Sequence, residues 1–224
     1  MSTASESLRG AVLLTFAGGY LDAFTYTGHG HVFANSMTGN VVLLGISLTR
    51  GEWPEVLTRL WPILAFLAGV FTAHVIRLRS DEHHPLRAGL LALGLELGLL
   101  LLVALLPAGF PDVPIVLGIA FMGALQSTMF ARLEGQVYNS TMTTGNLRKF
   151  AESFSAGIYP RREPRALRQA RLFAAVCACF AAGAVCGALV TPRFGNVAVL
   201  VPIAALGAVL AMHLWQRSDS ADPA

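Results

Sequence analysis

The sequence predicts an all-α polytopic membrane protein. About six transmembrane helices are expected, in two inverted three-span repeats, each repeat carrying a short helix that starts at a Thr-Gly-Asn element. Three observations carry this. The 224 residues have a mean hydropathy of +0.60 with only 13% charged residues, about half the charge fraction of an ordinary soluble domain. Apolar stretches of 17–19 residues recur six times, each near the ~20 residues that cross a bilayer. The triplet Thr38-Gly39-Asn40 returns as Thr144-Gly145-Asn146.

The six stretches are 11–27, 60–78, 88–106, 114–131, 172–190 and 197–215. The first is expected to be a retained helix and not a signal peptide. Its basic region is weak, with Arg9 offset by Glu6, no small-x-small cleavage site follows, and Asp22 interrupts it. The whole chain is expected to form a single membrane domain. Repeat one covers about 10–106 and repeat two about 112–215, with a polar tail at 216–224.

Basic residues set the expected topology. With six spans, an amino terminus in the cytoplasm and neither Thr-Gly-Asn element crossing, only Arg50, Arg59 and Arg193 face outward. The remaining thirteen of the 16 basic residues are cytoplasmic. If both elements crossed, giving eight spans, five basic residues would face outward, so six spans are preferred. Trp53, Trp61 and Trp215 fall near expected span ends, where amphipathic aromatics prefer the interface. The pI of about 9.0 therefore reports topology rather than a nucleic-acid partner.

The repeat extends beyond the triplet. Arg87-Ala88-Gly89, opening the third span, matches Arg193-Phe194-Gly195, read as opening the sixth, at the same spacing as the Thr-Gly-Asn pair. Phe66-Leu67-Ala68-Gly69 resembles Phe180-Ala181-Ala182-Gly183, displaced further by the longer basic loop 158–171. Three spans per repeat is an odd number, so the second copy enters the membrane from the opposite side. Inverted repeats with interrupted helices near the midplane characterise secondary transporters.

Both elements read as starts of short helices capped by Ser or Thr. The apolar run after Asn40 is too short to span, and after Asn146 one apolar face opposes a charged one. A helix start leaves unpaired N–H groups and a positive dipole end, able to hold an anion, carboxylate or carbonyl oxygen. Gly39 and Gly145 are expected to permit tight backbone geometry or close approach of a ligand. The bland alternative is a cap on an interfacial helix that binds nothing.

Gly19-Tyr20-Leu21-Asp22-Ala23 followed by Asn35-Ser36-Met37-Thr38-Gly39-Asn40 resembles the YoaK family of bacterial integral membrane proteins. Gly123-Ala124-Leu125-Gln126 followed by Thr144-Gly145-Asn146-Leu147 resembles that family's companion motif. The resemblance covers about residues 10–215. Ser127 departs from it, standing where an Asn is expected after the Gln. It implies a polytopic protein of the bacterial cytoplasmic (inner) membrane, of uncharacterised activity. Both termini are expected on the cytoplasmic side.

Among intramembrane polar residues, Asp22 shares a stripe with Thr15, Gly18, Gly19, Thr25 and Tyr26. A carboxylate in hydrocarbon is costly and normally faces a partner or a cavity. Gln126 falls at the matching place in the fourth span, two residues off the repeat register. The expected substrate-binding set is Asp22, Asn35, Ser36, Thr38, Gly39, Asn40, Gln126, Thr144, Gly145 and Asn146. Glu96 in the third span needs a partner that sequence does not identify, and Pro202 stands at its matching place. His29 and His31 read as a solvated loop without a third metal ligand, and His83 and His84 as an exposed charged loop. Cys177, Cys179 and Cys186 read as small residues for helix packing.

No P-loop, nucleophile elbow, HExxH or CxxC is present, so an enzyme is not expected, nor a cofactor or metal. The expected partners are membrane lipid and a small-molecule substrate, without nucleic acid, with homo-oligomerisation left open. The function favoured is a small-solute transporter or facilitator with a polar site between the repeats. The alternative is a non-transporting scaffold or sensor whose polar motifs only join helices.

Overall fold

Eight α-helices organise the chain in a computed structural model, which describes residues 7–79, 85–160 and 162–221. In order they are α1 (Leu8–Gly28), α2 (Met37–Arg50), α3 (Trp53–Arg79), α4 (Pro85–Leu105), α5 (Asp112–Met129), α6 (Thr144–Ile158), α7 (Pro164–Phe194) and α8 (Leu200–Ala221). A small antiparallel hairpin, β1 (Arg132–Leu133) and β2 (Gln136–Val137), lies between α5 and α6. A 3-10 turn, Gly195–Val199, joins α7 to α8. His83 and His84 lie outside the described residues.

Among the described residues, four stretches are long and apolar enough to cross a membrane: Trp53–Arg79, Ala88–Leu105, Asp112–Met129 and Pro164–Trp215. The last contains α7 and most of α8. The first expected span, now α1, is not among them, and its surroundings explain why. Leu14, Ala17, Tyr20, Leu21 and Phe24 are all buried, as are Thr15, Asp22 and Thr25. A helix enclosed by protein need not present an apolar surface to lipid, so α1 carries glycine, threonine and a carboxylate. The outer helices show the reverse. Leu67, Phe71, Leu91, Leu102 and Leu105 are exposed, Leu105 by 83%. In water each side chain of this kind would forgo about 1.5–3 kcal/mol of burial, whereas in hydrocarbon exposure carries no such penalty.

Small residues set the helix packing. α1 lies against α7 and α8, and α5 against α3 and α4, while α2 packs on α3, α6 on α7, and α4 on α8. In α1, a Cβ at Gly19 would overlap the Phe180 carbonyl; in α7, one at Gly183 would overlap the Phe16 carbonyl. The corresponding glycine of α3, Gly69, lies against the Phe121 carbonyl of α5. The two Phe-x-x-Gly matches of the sequence thus occupy equivalent packing positions. Tyr20 crosses the core to donate to the Ala198 carbonyl at 2.6 Å.

Several boundaries differ from expectation. α3 begins at Trp53, and α7 at Pro164 inside the expected basic loop, because proline at a helix start has a fitting φ and no N–H to lose. Arg193 ends α7 instead of opening the last helix. The match with Arg87, whose side chain is not described, is one of sequence only. The β1–β2 turn was not anticipated. Glu134 and Gly135 both take positive φ, 45° and 79°, the geometry of a two-residue hairpin turn. Arg168 on α7 holds Glu134 at 2.8 Å.

Candidate functional site

Two loops dive onto the middle of the helices. The first, residues 29–36, precedes α2 and is tied to α1. Asp22 Oδ1 accepts the Asn35 N–H at 2.7 Å, and Thr25 Oγ1 accepts the Ala34 N–H at 3.1 Å. Asn35 itself is fully buried, its Nδ2 3.4 Å from the Gly18 carbonyl. Its Oδ1 lies so close to Gly123 of α5 that any side chain there would collide, and that oxygen has no hydrogen-bond partner among the described residues. The second loop, residues 138–143, precedes α6. Its Ser140 carbonyl presses on Gly18 of α1, and its Thr141 N–H and hydroxyl both donate to Asn139 Oδ1, at 2.8 and 3.0 Å.

The asparagine of each triplet has the same partner seven residues upstream. Asn40 Oδ1 accepts the Phe33 N–H at 3.0 Å while its Nδ2 donates to the Phe33 carbonyl at 2.6 Å. Asn146 Oδ1 accepts the Asn139 N–H at 3.2 Å while its Nδ2 donates to the Asn139 carbonyl at 2.7 Å. A planar amide offers an acceptor and a donor side by side, which matches one residue's N–H and C=O. Both asparagines are buried, so both amides are engaged in closing a loop onto a helix start. The expected cap bonds are absent: neither Ser36 nor Thr143 accepts a helix N–H through its side chain. The clasp does different work: it leaves the helix N–H groups uncapped and fixes the loop from the third or fourth helical residue.

The glycines divide. Gly39 lies under the Phe33 ring, where a Cβ would come within 2.9 Å of Cδ2; a Cβ on Gly145 would meet nothing. Neither has a positive φ, so backbone freedom explains neither; lack of space requires glycine at 39 and not at 145.

Between α1, α7 and the two helix starts lies a cavity of about 780 Å³. Asp22, Ala23, Tyr26 and Thr27 of α1 form one side, and Phe180, Ala184, Val185 and Ala188 of α7 another. The start of α2 contributes Phe33 and Ser36–Thr38, and the start of α6 Thr141–Gly145. Of the residues expected at a site, Asp22, Ser36, Thr38, Thr144 and Gly145 reach this wall. Asn35, Gly39, Asn40, Gln126 and Asn146 do not; they pack behind it and hold it in shape. The Thr143 hydroxyl is buried there without a partner among the described residues.

Sequence reasoning missed the α7 wall, because Phe180, Ala184 and Ala188 carry no polar group that sets them apart from the rest of an apolar span. It also missed the partner of Glu96. Glu96 is 2% exposed, with the Gln126 amide 2.8 and 3.1 Å from its two carboxyl oxygens and Ser140 Oγ 3.0 Å beyond. Ser127, the departure from the motif, returns its hydroxyl to the Ala124 carbonyl at 3.2 Å. The solvated-loop reading of His29 is overturned. His29 is buried against Phe24, and its Nδ1 lies 2.8 Å from Asp112 Oδ1 at the start of α5. The turn at Gly30 and His31, both with positive φ, folds the ring inward. Among the described residues no group of three His, Cys, Asp or Glu side chains converges as a metal site.

The pattern of the two motifs and the geometry they build can be set beside known proteins. Residues 10–212 match the family described as "Protein of unknown function (DUF1275)". The chain belongs to the DUF1275 family. It is 30% identical over 195 residues to the UPF0700 transmembrane protein YoaK of Bacillus subtilis (strain 168), a match covering 85% of this chain and 87% of that one. The family resemblance carried by Asp22 and the Thr-Gly-Asn elements is therefore correct, and this DUF1275 protein is a multi-pass membrane protein. No solved structure matches it.

Proposed function

We propose that this DUF1275 protein is a transporter or facilitator for a small solute, which occupies the cavity between α1, α7 and the starts of α2 and α6. The observation that carries the reading is that both Thr-Gly-Asn helix starts and the buried Asp22 share one cavity of about 780 Å³, within the range of small-molecule sites. Two helix starts supply positive dipole ends, Asp22 supplies a carboxylate, and the α7 wall is apolar. A small polar or zwitterionic solute with a short apolar part complements this lining.

The same reading includes six spans in two inverted repeats, α1–α4 and α5–α8, with α2 and α6 re-entrant. At ~1.5 Å per residue, the 14 residues of α2 and 15 of α6 extend only about two-thirds of a ~30 Å hydrocarbon core. Exchanging the halves converts the main helix contacts into one another: α1 with α7 becomes α5 with α3, α1 with α8 becomes α5 with α4, and α2 with α3 becomes α6 with α7. The asparagine clasps correspond in the same way. With both termini cytoplasmic in the bacterial inner membrane, the loops enter from opposite faces.

Uptake by proteoliposomes across a panel of amino acids, small organic acids, amines and polyols tests the proposal. Asp22→Asn retains an acceptor for the Asn35 N–H, so it changes charge while keeping the loop in place. Flux of at least one solute is expected, with a marked loss in Asp22→Asn. A correctly folded protein that moves none of the panel, or whose flux ignores Asp22→Asn, would remove the basis for the assignment.

A further inference from the structure

The cavity leaves one buried carboxyl group unexplained. Glu96 of α4 is enclosed, and among the described residues no cationic side chain pairs with it. The titratable groups on the helices around it are engaged elsewhere or exposed. On α5, Asp112 pairs with His29. On α8, His213 packs toward Phe130, its Nδ1 3.0 Å from the Val209 carbonyl. On α3, His74, Arg77 and Arg79 lie at or near the surface. The 3-10 turn carries no titratable side chain. On α1, Asp22 accepts the Asn35 N–H, Tyr20 donates to the Ala198 carbonyl and Arg9 is exposed. The second loop carries the buried Tyr138.

What Glu96 does meet is the Gln126 amide, and an amide can be read in two directions. Its oxygen and nitrogen are almost the same size, so the surrounding protons decide which way it lies. In one orientation Nε2 donates to Ser140 Oγ at 3.0 Å and to the Leu14 carbonyl at 3.3 Å, and the amide oxygen faces Glu96. Two acceptors then meet unless Glu96 carries a proton to donate. In the other orientation Nε2 donates to both Glu96 oxygens, at 2.8 and 3.1 Å, and the amide oxygen accepts from the Ser140 hydroxyl at 3.0 Å. That arrangement fits an ionised Glu96. The first orientation requires a proton on Glu96, whereas the second is strongest when Glu96 is ionised and can accept at both oxygens.

We infer that Glu96 is a proton-binding site whose occupancy is relayed by Gln126 and Ser140 to the loop that opens α6. When Glu96 is protonated, Ser140 Oγ accepts a hydrogen bond and Leu14 holds the amide. When Glu96 is ionised, Ser140 becomes the donor and the Leu14 bond is lost. Ser140 is fully buried, its carbonyl presses on Gly18 of α1, and the next residue, Thr141, lies on the cavity wall. The proton is taken up or released as H⁺ from water, with no other reactant. This inference rests on the transport reading for its purpose, since a proton bound beside a solute cavity is a coupling ion, but its mechanism can be tested without any solute.

The test uses the full chain in liposomes with Cys177, Cys179 and Cys186 replaced by Ala. A reporter Thr143→Cys is reacted with a water-soluble thiol reagent. Its rate at each pH is divided by the thiolate fraction of the same reporter, read from thiolate ultraviolet absorbance, to cancel thiol ionisation. Between about pH 5 and about pH 9 the normalised rate is expected to change roughly threefold or more as the two loop states exchange. Glu96→Gln should hold it at the acid value, because a glutamine amide donates to Gln126 as the protonated acid does. Ser140→Ala should flatten the profile while infrared spectroscopy still shows an acid carbonyl band that is absent from Glu96→Gln. A flat profile with Glu96 intact would overturn the inference, as would a pH response surviving in Glu96→Gln. If Glu96→Gln fails to fold, the absence of any acid-dependent carbonyl band, or a pH response that persists in Ser140→Ala, would overturn it equally. Because neither readout needs flux, a pH-driven loop response in a protein that transports nothing would sink the transport reading and leave the proton site standing.

Discussion

Replacing Asn40 by alanine removes both halves of the first clasp and nothing else of comparable size. The Phe33 N–H and C=O, held at 3.0 and 2.6 Å, then lose their partners beside a buried helix start. An orphaned polar group in such a place costs about 1–3 kcal/mol. Two of them put the loss at about 2–6 kcal/mol, toward the lower end if water enters from the cavity. Asn146→Ala breaks the same pair of bonds to Asn139 and should cost a similar amount. The two clasps share no partner, so the double variant should fall near the sum. Denaturant-induced unfolding in detergent, followed by helical circular dichroism, gives the energies, and amide exchange at Phe33 and Asn139 localises them. Asn40→Asp is the sharper control: it keeps an acceptor for the Phe33 N–H but sets a second acceptor against the Phe33 carbonyl, so it should not rescue. If Asn40→Ala unfolds within about 0.5 kcal/mol of the parent, with Phe33 still protected, the clasp does not hold the loop.

Two further predictions follow from space, not hydrogen bonding. Gly39→Ala should destabilise by about 1–3 kcal/mol through the Phe33 ring, as overpacking does, whereas Gly145→Ala, with nothing near its Cβ, should leave the melting temperature unchanged; equal effects in thermal unfolding would refute the division. Gly183→Leu cannot be accommodated against the Phe16 carbonyl and should abolish the folded species in detergent size-exclusion chromatography, while Gly207→Leu, with no neighbour within 4 Å of its Cβ, should elute normally.

Much of the architecture was legible from composition. Long apolar runs with few charges announce a membrane protein because hydrocarbon tolerates little else, and the outer helices α3, α4, α7 and α8 obey that logic. α1 was legible for a different reason. Its threonines, glycines and Asp22 break the apolar pattern because the helix is surrounded by protein, and an intramembrane carboxylate points to a partner. Its partner is Asn35, thirteen residues on, within reach of a local reading. The boundaries of α3 and α7 were less legible, because hydropathy marks the lipid-facing part of a helix and α-helical structure continues beyond it.

The amino-acid sequence by itself determined the class, the family, the paired Thr-Gly-Asn helix starts and the singular position of Asp22, because these depend on local composition and on repetition along the chain. Only the tertiary structure decided which polar residues hold a loop and which face open space. An asparagine reads the same in sequence whether its amide closes onto Phe33 or onto a ligand; the fold placed Asn40 and Asn146 behind the wall, with Asp22 and the two helix starts on it. It also joined Glu96 to Gln126 across thirty residues and Phe180 to Gly19 across more than a hundred. Contacts of that span arise from helix packing, where glycine lets two backbones meet, and no local pattern encodes them.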